Sequence, residues 1–140
     1  MKLLCVALLA VMPFVGFPAC SQEPATVKAV VPPRYPPLAA VTGIFGVVEV
    51  EVVVGKNGNV ESIYSSRTLG QFKQLIGNAE LYAKKWVFTG ASTSPLKIIF
   101  DYQILPPDTS EQDLATEFIP PRKVIIKSTL HKVIDNQSGH

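Results

Sequence analysis

From Val48 to Val54 every second residue is valine, with Glu49 and Glu51 between them. Period two is the pattern of a strand with one buried face. Valine's branched Cβ also favours the extended chain. Val47 and Val53 interrupt the polar side, so the second face is only partly polar. Gly55-Lys56-Asn57-Gly58-Asn59 follows, and Asn-Gly between two extended runs predicts a hairpin, because both residues tolerate positive φ. The return strand is Val60 to Ser66, with Val60 and Tyr64 as its bulky contacts. A lone hairpin is marginal, so its valine face needs a cover supplied by the rest of the chain.

From Leu69 to Trp86 the period changes. Phe72, Leu75, Ile76, Ala79, Tyr82, Ala83 and Trp86 recur at spacings of three and four, which predicts an amphipathic helix. Gly77 interrupts it at a cost of roughly 1 kcal/mol relative to alanine, and a break there would make Asn78 an N-cap. Lys84 and Lys85 suit the C-terminal end of the helix dipole. Leu96 to Leu105 alternates again. Ile98, Phe100, Tyr102 and Ile104 share one face, and Lys97, Ile99, Asp101 and Gln103 the other. Ile99 is the apolar exception on that second face, which points to a half-covered face or a partner there. Upstream, residues 22–34 are a short extended lead ending in prolines. Pro36 or Pro37 suits the first turn of a short helix over Leu38 to Val41, with Gly43 at its C-terminal cap. Residues 106–140 form a C-terminal extension. Within it Lys123 to Ile134 is β-branched and of mixed polarity: an additional edge strand, a swapped arm, or a segment ordered by a partner. Asp135 to His140 is expected to fray.

Composition narrows the chemistry. Thirteen basic and eleven acidic side chains in 140 residues give a formal charge of +2, which argues neither for nucleic acid nor for a strongly anionic surface. Residues 1–21 read as an export signal: Lys2, then an apolar run from Leu3 to Val15. Cleavage after small residues and lipidation at Cys20 are two routes for such a segment, giving a periplasmic or secreted protein or one lipid-anchored to a bacterial membrane. A retained N-terminal anchor is the third. Cys5 and Cys20 both lie in this segment, so the body of the domain has no cysteine for a disulfide, a thiol nucleophile or a metal site. The two histidines, His131 and His140, sit in the tail without a metal-ligand cluster. No serine has a Gly-x-Ser-x-Gly setting, and no glycine-rich phosphate loop is present. Glu49 and Glu51 read as a solvated strand face rather than a catalytic pair. No catalytic residue, metal or cofactor is expected, and binding through backbone and surface remains.

Arg34-Tyr35-Pro36-Pro37-Leu38-Ala39, Gly46-Val47-Val48-Glu49-Val50, Gly58-Asn59-Val60, Lys85-Trp86-Val87-Phe88 and Ile98-Ile99-Phe100 follow one another in an order that resembles the C-terminal domain of the TonB energy-transducer family. The resemblance spans Val31 to about Leu105. It implies an α+β fold, a β-β-α-β unit at residues 35–105. A three-stranded antiparallel sheet would carry a short N-terminal helix and one long helix on one face. It also implies structural roles for Tyr35, Pro36, Gly46, Gly58, Trp86 and Phe88. It places partner binding at the last strand, on Lys97, Ile99, Asp101 and Gln103, by strand addition. The implied partner is a protein or peptide, such as an outer-membrane transporter or another envelope protein, in transmembrane transport. Departures are Gly90 where a proline is common, Gly77 within the helix, and Lys56-Asn57 in place of an acidic turn residue. The lead from Ser21 to Arg34 also spans only roughly 45 Å when extended, short for a periplasm-crossing transducer. The alternative expectation is therefore a structural or self-associating envelope module, including a homodimer, without an energy-coupling role.

Overall fold

The computed structural model describes residues 25–69 and 73–130. The predicted export segment, and with it Cys20, lies outside them, as do His131 to His140. Among the described residues the elements in order are β1 (Val27–Ala29), α1 (Pro37–Thr42), β2 (Gly46–Val54), β3 (Val60–Leu69), α2 (Lys73–Ala83), β4 (Val87–Phe88), β5 (Leu96–Leu105), a 3-10 turn at Glu111–Leu114, β6 (Glu117–Ile119) and β7 (Lys123–Thr129). The fold is α+β, and the expected hairpin, helix and strand all occur.

The sheet is larger than expected. Its order is β3-β2-β5-β7-β6, five strands instead of three, with β1 and β4 pairing separately. The three-stranded antiparallel unit β3-β2-β5 is present, and the C-terminal extension adds two strands to it. β7 lies parallel to β5, whereas the other neighbours in the sheet are antiparallel. Of the three readings of Lys123–Ile134, the described part forms a strand, β7 over Lys123–Thr129, but β6 lies outside it, so it is not the edge; residues 131–134 are outside the described residues.

The valine alternation works as read. Val48, Val50, Val52 and Val54 are buried under α2, and Ile98, Phe100 and Tyr102 of β5 join them. Ile104 is only partly buried, because the core ends before it. α2 runs unbroken through Gly77, whose missing Cβ faces open space. Asn78 is not an N-cap: its side-chain oxygen accepts a hydrogen bond from the Tyr102 hydroxyl at 2.7 Å. Tertiary packing of Leu75, Ala79 and Ala83 outweighs the roughly 1 kcal/mol glycine defect. At the hairpin, Gly58 takes the left-handed conformation, φ 81, and Asn57 does not. β3 continues past Ser66 to Leu69, and Tyr64 is 66% exposed rather than a core contact. The register shows why: the pairing steps from Ser65↔Glu51 to Ile63↔Val52, so Tyr64 is itself the unpaired residue of a bulge.

The N-terminal motif holds α1 against the core. Pro36 caps it, the Ala40 N–H donates to the Pro36 carbonyl at 3.0 Å, and Gly43 ends it at φ 69. Tyr35 donates its hydroxyl to the Ile44 carbonyl and meets the Tyr102 ring edge-on, centroids 5.5 Å apart. Burial pushes the Tyr35 phenol up to about 12 and raises Tyr102 as well. The native state then keeps protons that an unfolded chain releases from about pH 10. Stability from these phenols is thus complete below about pH 10 and falls as pH climbs through 12. Denaturant midpoints measured from pH 8 upward should show that decline, and Tyr35→Phe should make it shallower; an equal slope in the variant would show that Tyr35 is not its source.

Candidate functional site

In a strand successive side chains alternate faces, so the helix-free side of this sheet can be read from the register. Glu49 pairs with Arg67 on one side and Ile99 on the other, and Ile99 in turn with Lys123. Val47 aligns with Leu69 and Asp101, and Asp101 with Ile125. Glu51 aligns with Lys97, and Gln103 with Lys127. Lys97, Ile99, Asp101 and Gln103 therefore form the middle column of an uncovered sheet face, each partly exposed. Ile99, the apolar exception in that column, is partly exposed.

That face is held by ion pairs. Arg67 Nε lies 2.6 Å from Glu49 Oε2, and Lys97 Nζ lies 3.6 Å from the same oxygen. Lys123 reaches Asp101 at 3.7 Å and Lys127 reaches Glu117 at 3.5 Å. Gln103 donates to Asp101 at 3.2 Å. The hydrogen bond from Arg67, aided by Lys97, holds the Glu49 carboxyl below the usual carboxylate range. Such surface pairs contribute at most about 1 kcal/mol each, so they set register and partner choice more than stability. At one end of the same face Phe45, Val47, Leu69, Leu105 and Leu130 line an open cleft of about 540 Å³.

The backbone margin of β5 differs from expectation. The resemblance implies a margin that receives a partner strand, but β7 already pairs with it from Ile99↔Lys123 to Leu105↔Thr129. The Ile99 N–H donates to the Arg122 carbonyl at 2.9 Å, and Arg122 Nε donates to the Lys97 carbonyl at 2.9 Å. The bare margin expected on β5 is thus filled within the same chain, by β7. The physical reason lies in β7 itself: Val124 and Ile126 point inward and are fully buried beside their register partners Phe100 and Tyr102. Their spacing was visible in the sequence; the strand they would join was not. Among the described residues the sheet's outer strands are β3, ten residues long, and β6, three.

The structural positions come together around the core. Trp86 and Phe88 are buried, and the Trp86 ring lies about 6 Å from those of Phe88, Phe100 and Phe118. Gly58 accepts the Phe88 N–H at 2.7 Å, tying the hairpin to β4. Gly46 opens β2. Among the described residues no cluster of three or more His, Cys, Asp or Glu could hold a metal, and no helix is long and apolar enough to cross a membrane.

A family model described as Gram-negative bacterial TonB protein C-terminal matches residues 31–104. No curated protein matches the chain. The matched segment runs from just before the Tyr35 motif to the penultimate residue of β5, and so takes in the β3-β2-β5 unit with α1 and α2. Domains of this kind are non-catalytic adaptors that bind proteins or peptides. Since the match covers more than half of its 140 residues, the chain belongs to the TonB C-terminal domain family.

Proposed function

We propose that this chain is a protein-binding domain of the bacterial envelope that takes an extended partner segment by strand addition on the β5 side of its sheet. Lys97, Ile99, Asp101 and Gln103 are the side chains that read the partner, and an outer-membrane transporter or another envelope protein supplies it. One observation carries the reading: the last strand of the matched unit accepts a strand from outside that unit, since β7 lies on it over seven aligned pairs. Main-chain hydrogen bonds would give affinity there, and the partly exposed side chains choice. The partner competes with β7 for this place. Titrating the full chain with synthetic segments of envelope transporters and following amide shifts tests it. Shifts at Lys97 to Gln103 are expected, and their absence with every segment would remove this mode.

The self-pairing of β7 favours a second reading, a structural or self-associating module without energy coupling. On that reading no envelope segment competes with β7, because the strand is a fixed part of the sheet.

A further inference from the structure

β7 begins beside Lys97 and Ile99 of β5, and a small cleft opens there. Its volume is about 150 Å³, and Lys97, Ile99, Pro121, Arg122 and Lys123 line it. Three of these five side chains are basic and none is acidic. Lys97 belongs to the segment that the family defines, whereas Arg122 and Lys123 lie beyond it. The parallel ladder brings them together: the Ile99 N–H donates to the Arg122 carbonyl at 2.9 Å, and Ile99 is the register partner of Lys123.

The three basic groups are committed to different degrees. Lys97 lies 3.6 Å from Glu49 and Lys123 lies 3.7 Å from Asp101, both longer than an ordinary hydrogen bond. Glu49 is engaged first by Arg67, at 2.6 Å. Glu51 is aligned with Lys97 but makes no ion pair with it. Each ammonium carries three donors, so these loose contacts leave protons for another acceptor. Arg122 donates its Nε to the Lys97 carbonyl at 2.9 Å, which holds the guanidinium in place. Its charge has no carboxylate partner among the described residues. Arg67, Lys97, Arg122 and Lys123 stand against Glu49, Glu51 and Asp101, which leaves one net positive charge.

We infer that this cleft is a binding site for a single phosphate group, with Arg122 as its anchor and Lys97 and Lys123 as flanking charges. The volume is below the roughly 300–1,000 Å³ of a drug-sized pocket and suits one ionic group. The donors are carried on two strands. A tetrahedral group, with oxygens in several directions, accepts from all three, whereas a planar carboxylate fits the arginine fork best. Ile99 and Pro121 give the cleft an apolar wall, which strengthens charge-assisted hydrogen bonds beside it. A soluble phosphate and the headgroup of an anionic lipid present the same chemistry. The site does not depend on strand addition and stands or falls with phosphate, whether or not an envelope segment binds.

Inorganic phosphate added to the full chain at constant ionic strength should shift the amides of Ile99, Arg122 and Lys123 and saturate with a Kd of about 1 mM. Arg122→Gln should raise that Kd about tenfold, as loss of a charge-assisted hydrogen bond does. Lys97→Gln and Lys123→Gln should each raise it about threefold. Thermal unfolding separates lost binding from lost fold. The two lysine side chains are 42% and 38% exposed, so their variants keep the test decisive even where Arg122→Gln disturbs the start of β7. Shifts that rise without saturating, acetate binding as tightly as phosphate, or affinity unchanged in both lysine variants would overturn the site. Vesicles of phosphatidylglycerol, with phosphatidylcholine as control, tell the sources apart. Capture by the first alone, competed by inorganic phosphate and lost in Arg122→Gln, assigns the group to a lipid. No capture, beside saturable phosphate binding, assigns it to a soluble phosphate.

Discussion

Trp86→Ala should lose about 3–5 kcal/mol of unfolding free energy, the largest single loss expected in this chain. The indole is 1% exposed and lies at the meeting point of three aromatic rings, from β4, β5 and β6. Removing it leaves a cavity that none of these strands can close without breaking its ladder. The effect has a second signature. The indole Nε1–H is buried with no acceptor among the described residues, and an unpaired buried donor itself costs about 1–3 kcal/mol. Trp86→Phe removes that donor along with part of the volume, so it should cost much less than the alanine change. Urea unfolding of both variants checks the pair. Equal losses would mean that the indole N–H is satisfied in solution.

Gly58→Ala should cost about 3 kcal/mol or more, although it adds a single methyl group. Gly58 sits at φ 81, which an L-residue adopts only under strain of roughly 1–3 kcal/mol. A Cβ there would also land on the Phe88 carbonyl oxygen, a backbone atom that cannot rotate away. Relief requires β4 to move off the hairpin, which breaks the Phe88 N–H bond to Gly58. Gly77→Ala provides the contrast: its Cβ meets nothing and the residue is within α2, so the change should stabilise by up to about 1 kcal/mol. Thermal unfolding of the two variants should move the midpoint in opposite directions. A Gly58→Ala midpoint within a degree of the parent would show that the hairpin and β4 are not in contact.

Much of the fold was legible because it is local. The alternation from Val48 to Val54 determines a strand and its buried face, whatever lies beyond it. Pro37 and Gly43 mark both ends of α1, and the three-and-four spacing of Leu75, Ala79 and Ala83 marks the helix face. The family order of Tyr35, Gly46, Gly58 and Trp86 was equally visible. Where local signals misled, packing had overruled them: Gly77 stays helical, and Asn78 serves Tyr102 instead of starting a helix.

The candidate site divides along the same line. That Lys97, Ile99, Asp101 and Gln103 share a face follows from strand periodicity alone. Whether the β5 backbone beside them is bare depends on a segment more than twenty residues further on. Val124 and Ile126 carry the right alternation, but alternation does not name a neighbour. Pairing is chosen by the inward face left uncovered once β2, β3 and α2 have assembled, and that face exists only in three dimensions.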